Sequence, residues 1–426
     1  MNEPLFWQRL RQYRDVERSA FLCERWQLRN SLRSAERLYD FIRMEASQAL
    51  ADDFAASLAH NPMQVRLTPY VLALIDWQNA ASDPLRRQFI PLASEYVPDH
   101  PALALDSLSE HRDSPVPGVV HRYPGKALLL ATRSCPVYCR FCTRSYLVGG
   151  DTAAVTKAHE VATPNRWQQA LTYIRDTPAI EDVVVSGGDA YNLPARHLWP
   201  LLEALLNIKH VRRVRVASKA LAVLPCALLD ECGWSSALIA AQQLAREQRK
   251  QFSLQTHFNH AREITWITRL AADALFDRGI RVRNQTVLLR GVNDEPQGLG
   301  ALLEALVAIN VEPYYVYLHD LVPGSETLRT PLSTAIRLEE ALRGRTSGYE
   351  FPRFVVDLPG GGGKRHVCSF RHYDPGLGVS LFRAPAIDPE RRYYHFDPLP
   401  AQASHPAALS RLIEAFDNAH PQALAR

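Results

Sequence analysis

Three cysteines, Cys135, Cys139 and Cys142, fall within eight residues of one another. They follow a short apolar, β-rich run, Ala127–Thr132, through Arg133 and Ser134. Residues just past the C-terminal end of a strand in a parallel barrel line its active site. Three thiolates on one tight loop can hold three irons of a cubane cluster and leave the fourth iron open. Structural zinc is the competing reading, but zinc takes four ligands, commonly from two C-x2-C pairs. No second pair exists, and Cys226 and Cys232 are spaced wrongly to make one. The close spacing also argues against three buried, inert thiols.

A second chemical group lies far along the chain, in Asp357-Leu358-Pro359-Gly360-Gly361-Gly362-Gly363-Lys364. Four glycines let the backbone approach a ligand closely. A nucleotide phosphate loop, G-x4-G-K-[ST], is excluded, because Leu358 stands where glycine is needed and Arg365 where a hydroxyl is needed. The functional reading is a flexible loop presenting one lysine to an aldehyde cofactor, since a partly desolvated lysine condenses with pyridoxal phosphate. On composition alone, an ordinary exposed lysine on a mobile surface loop fits better.

The elements that must position these groups are legible as a pattern. Strands are expected at Ala127–Thr132, Asp182–Ser186, Val211–Ala217, Phe252–His257, Val282–Leu289 and Glu312–Leu318. Between them, 166–175, 198–206, 236–247, 263–277 and 299–307 carry helical spacing, so parallel βα units are predicted. Six units make an α/β fold: an open, partial TIM-like (β/α)6 barrel. A helix at 335–343 and a strand at 353–357 follow. Before the barrel, residues 31–43 and 69–77 read as part of a helical N-terminal layer, and 98–124 as an extended connector. The expected divisions are 1–112, 113–333 and 334–426, the last carrying the glycine–lysine loop; the final fifty residues show no clear pattern.

Bulk properties agree with a globular enzyme. The 426 residues are 46% hydrophobic and 22% charged, with a net charge of +4. That balance gives no case for nucleic acid or a membrane surface. No apolar stretch is long enough to span a bilayer, and no signal-peptide pattern opens the chain. Seven scattered cysteines are not a disulfide framework. A cytoplasmic address is expected.

C-x3-C-x2-C after a first barrel strand resembles the radical S-adenosylmethionine superfamily. Ser186-Gly187-Gly188-Asp189-Ala190, after the second strand, is similar to that superfamily's glycine-rich segment. A wider set of blocks resembles the lysine 2,3-aminomutase family. They include Asp113-Ser-Pro-Val-Pro-Gly118, His121-Arg-Tyr-Pro124, Thr256-His-Phe-Asn-His260, the stretch Asn284–Asp294 and the glycine run before Lys364. The resemblance covers most of residues 25 to 364. It implies three cofactors: a 4Fe-4S cluster on the cysteines, S-adenosyl-L-methionine on the open iron, and pyridoxal 5'-phosphate on Lys364. The implied reaction is an isomerisation that exchanges L-lysine and β-lysine by a radical 1,2-amino shift.

The same resemblance assigns the remaining residues. Arg144 would hold the substrate carboxylate, as a guanidinium matches both its oxygens. Asp320 and Asp357 would take the distal ammonium, and two carboxylates in one pocket favour a cation between them. Glutamate-specific relatives should not keep that acidic pair. Arg122 and Tyr123, with Lys126 where the family usually has arginine, would hold the pyridoxal phosphate. Gly187, Gly188, Asp189, His257 and Gln285 would line the S-adenosylmethionine pocket, although His257 and His260 also have the spacing of a metal pair.

The implied partners are a free cationic amino acid and an electron donor such as flavodoxin or ferredoxin. An intersubunit zinc site of clostridial relatives is not expected, because Glu295 stands at its loop position and no cysteine lies beyond Cys368; any homo-oligomer would form without it. The segment Ala217–Ala222 and the long stretch Asp230–Gln251 also depart from the family pattern. Competing readings are an arginine aminomutase, a radical enzyme modifying a protein lysine, and a non-enzymatic iron–sulfur or zinc protein. The last explains the cysteines but not Arg144, the acidic pair and the lysine loop together.

Overall fold

The computed structural model describes residues 4–158, 164–229, 233–399 and 409–424; Cys232 and the start of the 230–251 stretch lie outside them. Nine strands form one sheet in chain order: β1 (Val119–Tyr123), β2 (Lys126–Thr132), β3 (Asp182–Gly187), β4 (Arg213–Ala217), β5 (Gln251–Thr256), β6 (Arg281–Val287), β7 (Val311–Tyr317), β8 (Arg353–Leu358) and β9 (Gly363–His366). Strands β2 to β8 are parallel, and β1 and β9 close the two edges antiparallel. The six expected barrel strands are therefore present, and the late strand joins them as a seventh parallel member.

Alternation along the strands explains the wrap. Val183 and Val185 of β3 and Val214 and Val216 of β4 are wholly buried. They meet outer helices such as Ala195–Leu206, which buries Leu198, Leu201, Leu202 and Leu205. The intervening side chains turn inward, and residues from all nine strands line one cavity. The edge strands are not paired. Instead the Tyr123 hydroxyl of β1 accepts the Lys364 backbone N–H of β9 at 2.7 Å, bridging the gap.

The expected helical N-terminal layer is present, and its helices begin on side-chain caps. Ser34, Ser47, Thr68 and Asp83 each accept first-turn backbone N–H groups. This layer grips the cysteine loop directly. The Tyr138 N–H donates to the Arg66 carbonyl at 3.1 Å, and the Arg140 N–H to the Gln88 carbonyl at 3.0 Å.

A buried charge cluster ties the same parts together. Glu95 pairs with Arg86 at 2.6 Å and lies 3.5 Å from Arg140 on the loop. Burial opposes its ionisation, but these arginines outweigh that and hold its carboxyl below the usual range. Removing one member of a buried cluster leaves the others uncompensated. Glu95→Ala is therefore expected to destabilise the fold by about 3 kcal/mol. A urea midpoint equal to the parent's would show that the cluster contributes nothing.

One expectation about the connecting segments is corrected. The connector does not stay extended: it runs through turns and ends in β1. Beyond β9, where the sequence showed no clear pattern, the described residues form an antiparallel sheet of β10 (His372–Asp374), β11 (Val379–Ala384) and β12 (Asp388–Phe396). A helix at Leu409–Ala419 packs on it through fully buried Phe416. Among the described residues, no helix is long and apolar enough to cross a membrane.

Candidate active site

The cavity at the centre of the sheet measures about 450 Å³, within the usual span of small-molecule sites. Cys135, Cys139, Cys142, Arg144, Asp320, Asp357 and Lys364 all line it. So do Arg122, Tyr123, Lys126, Gly187, Gly188, Asp189, His257 and Gln285. Residues separated by up to 242 positions thus share one wall, since inward-facing strand residues and the loops that follow the strands enclose the same space.

The cysteine loop leaves β2 and is pinned on both sides. The N-terminal layer holds it from outside, as described above. From inside, the Gly188 N–H donates to the Thr132 carbonyl at 2.5 Å and the Asp189 N–H to the Ser134 carbonyl at 3.0 Å. A side chain on Gly188 would place a Cβ only 2.6 Å from the Ser134 oxygen, and Gly187 has φ 113°. Both positions therefore require glycine for backbone approach, whatever they also offer a ligand.

Burial raises all three thiols, Cys139 to about 12 and Cys135 well above its ordinary value, with the Cys135 thiol also opposed by Asp189 and its two neighbours. Iron binding would have to displace those protons. Among the described residues, no three His, Cys, Asp or Glu side chains converge as ligands of a single ion. Three thiols on one loop facing one cavity suit a cubane, whose irons each take a separate ligand.

Several buried polar atoms of the wall have no hydrogen-bond partner: Gln255 Oε1, Thr256 Oγ1, His257 Nε2, Asp320 Oδ1 and Asp357 Oδ1. Such atoms are rare in folded proteins unless something polar meets them. The donor set therefore fits polar cofactors and a charged substrate. His257 is held neutral, its ring pushed well below the usual range by burial and then by Lys219. Its companion His260 instead caps the turn Ala261–Glu263, so the two do not form a metal pair.

The glycine–lysine segment is not the flexible loop expected. Pro359–Gly361 makes a tight turn, and Lys364 lies on β9, directly opposite Asp357 in the hairpin register. Its Nζ is 2.5 Å from Asp357 Oδ2. Burial opposes the Lys364 charge, but Asp357 outweighs it and raises the ammonium well above its ordinary value. Asp357 is held correspondingly low: burial works against ionisation, and Lys364 and Arg122 overcome it.

Asp320, after β7, lacks such a partner. Burial and the nearby Asp357 charge push its carboxyl up to about 7. It accepts the Thr143 hydroxyl at 2.5 Å. Arg144 is bound by Glu110, a residue the sequence did not single out, with Nε and Nη2 at 2.9 and 2.7 Å. Arg122 Nε donates to Asp113 at 2.7 Å, and its Nη1 lies 3.9 Å from Asp357. Lys126 Nζ sits 4.2 Å above the Tyr123 ring and is lowered to about 8 by burial and then by Lys364.

Two other wall residues have internal duties. Asp189 accepts the N–H groups of Tyr191 and Lys219 at 2.9 and 2.7 Å. Gln285 accepts the Tyr317 hydroxyl at 2.9 Å. Lys219, in the divergent Ala217–Ala222 segment, is a buried cation of the wall paired with Glu263 at 3.3 Å. Only its departure from the family pattern marked it beforehand.

Comparison with known proteins places the chain among characterised families. A sequence profile described as Lysine-2,3-aminomutase matches residues 339–369, which span β8, the turn and Lys364. An L-lysine 2,3-aminomutase from Clostridium subterminale is 40% identical over 357 residues, 83% of this chain and 80% of that protein. Another from Fusobacterium nucleatum is 39% identical over 344 residues, covering 80% and 75%. A glutamate 2,3-aminomutase from Clostridioides difficile is 30% identical over 341 residues, covering 80% and 75%. With so much of its length shared at this identity, the chain belongs to the lysine 2,3-aminomutase family.

Proposed function

We propose that this protein is an L-lysine 2,3-aminomutase that interconverts free L-lysine and β-lysine. The observation that carries this reading is one cavity wall holding three thiols, a lysine and two aspartates, with a guanidinium facing the same space. Cys135, Cys139 and Cys142 would hold a 4Fe-4S cluster, and the wall of Gly187, Gly188, Asp189, His257 and Gln285 the adjacent S-adenosylmethionine. Lys364, Arg122, Tyr123 and Lys126 would hold pyridoxal phosphate. When bound, these groups supply a carbon-centred radical and an anchor for the migrating nitrogen.

The chain's own residues do the positioning. Arg144 binds the substrate carboxylate, while Asp320 and Asp357 bind its distal ammonium. Gripping both ends fixes Cα and Cβ relative to the wall and converts encounter into orientation. Charge balance favours a cationic tail, because Lys364 neutralises only one of the two carboxylates. An anionic tail would place a third carboxylate against Asp320 and Asp357. The reading includes a small electron carrier of the flavodoxin or ferredoxin class as donor, and a cytoplasmic setting.

An anaerobic assay of the reconstituted protein with lysine, arginine, ornithine and glutamate tests the reading. Lysine is expected to turn over fastest and glutamate not at all. Preferred turnover of arginine would move the assignment to a guanidinium substrate, and turnover of glutamate would overturn it.

A further inference from the structure

We infer that Glu110 is a positioning residue whose carboxylate locks Arg144 by two nitrogens and leaves the third, Nη1, to grip the substrate carboxylate. This rests on the reading of Arg144 given above. An arginine beside an open cavity has several rotamers, and an unanchored guanidinium would lose its direction. Glu110 removes that freedom through a fork of two hydrogen bonds, to Nε at 2.9 Å and Nη2 at 2.7 Å. The Glu110 side chain is only 5% exposed and that of Arg144 22%, so solvent screens the pair less than it would a surface pair.

Glu110 is itself fixed. It accepts the Tyr146 hydroxyl at 2.8 Å. Asp106 accepts the backbone N–H groups of Glu110 and His111 at 2.8 and 3.0 Å, which ties down the turn carrying it. The same short segment orients the second guanidinium of the cavity. Asp113 accepts Arg122 Nε at 2.7 Å, and the Leu108 carbonyl accepts Arg122 Nη2. The connector between the N-terminal layer and β1 is therefore an alignment frame: two of its acids each hold one arginine of the wall.

This arrangement has a consequence for selectivity. With Glu110 in place, Arg144 carries little net charge toward the cavity and recognises a carboxylate through direction more than through long-range attraction. Binding of lysine should depend on Glu110, whereas binding of lysine amide, which has no carboxylate, should not.

The test compares the KM for lysine with the inhibition constant of lysine amide in reconstituted holoenzyme. Glu110→Ala is expected to raise the KM at least about tenfold, the size of one lost charge-assisted hydrogen bond. The lysine amide constant should move less than about twofold, well below that energy. Glu110→Gln, which keeps a neutral acceptor and the packing, should fall between parent and Glu110→Ala. Iron, sulfide and pyridoxal phosphate contents should match the parent's throughout. Equal shifts for both ligands would reduce Glu110 to a structural part and overturn the inference. Arg144→Ala separates the two assignments. If it abolishes the difference between the ligands and Glu110→Ala does not, only the positioning role falls. If Arg144→Ala leaves the difference intact, the carboxylate grip itself is wrong and this inference falls with it.

Discussion

Replacing Lys364 with alanine is expected to abolish lysine turnover, by about a thousandfold or more, while the iron and sulfide content stays at the parent level. The two halves of that result have separate causes. The cysteine loop leaves β2 and is held by backbone hydrogen bonds to the end of β3 and to the N-terminal layer, whereas β9 pairs with β8 at the far edge of the sheet. The amine on β9, in contrast, is the proposed attachment point for the aldehyde cofactor. Borohydride reduction of the parent should fix the cofactor to residue 364, and the variant should carry no such label there.

A competing amine makes this a demanding test. Lys126 lines the same cavity, and burial together with the Lys364 charge lowers it to about 8. Protonation alone therefore favours Lys126 as the nucleophile, because Asp357 keeps Lys364 charged. Geometry does not separate them, since both line the cavity over a tyrosine ring, Lys126 over Tyr123 and Lys364 over Tyr317; what favours Lys364 is its place behind the glycine run, inside the segment 339–369 matched by the family profile. Near-parent turnover in Lys364→Ala, or a reduced label on Lys126, would refute the assignment.

The second large effect is expected at Asp320. Asp320→Asn keeps the shape and an acceptor for Thr143 but removes the charge. Truncating one side of a buried charge pair costs about 3 kcal/mol, so the KM for lysine should rise about a hundredfold. The parent should also show a pH dependence that the variant lacks. Asp320 is raised to about 7 by burial and by Asp357, so it is ionised above that pH and protonated below it. The grip on a cationic tail is therefore present on the alkaline side and is lost as pH falls through about 7. The KM for lysine should climb between about pH 8 and about pH 6 in the parent and stay flatter in Asp320→Asn. Steady-state constants and pH profile unchanged in the variant would remove Asp320 from the site.

Much of the architecture was legible because its signals are local. The β2 to β7 runs are short, carry β-branched or aromatic residues or leucine, and are separated by helical spacing, so their order and parallel pairing follow from alternation alone. The cysteine spacing is likewise a local fact. The segment after β9 was less readable. Strand β12 runs Asp-Pro-Glu-Arg-Arg-Tyr-Tyr-His-Phe, exposed along its first half and mostly buried along its second, so its alternation never declares one face. The glycine run misled for a related reason. Glycines announce conformational freedom, but whether a loop moves depends on what it packs against, and here it closes a hairpin whose second strand bears the lysine.

From sequence alone came the residue types: three thiols on one loop, a lysine behind glycines, two aspartates after strands, and an arginine beside the cysteines. Cysteine spacing by itself pointed to an iron–sulfur cluster, whereas the other two cofactors and the roles of Lys364, Arg144 and the two aspartates followed from the family resemblance. Only the tertiary structure decided which of these groups are already paired. Lys364 with Asp357 and Arg144 with Glu110 are contacts between distant segments or hairpin partners, and burial gives them their strength. It left Asp320 without a counter-ion, and that imbalance reflects enclosure, which no linear pattern encodes.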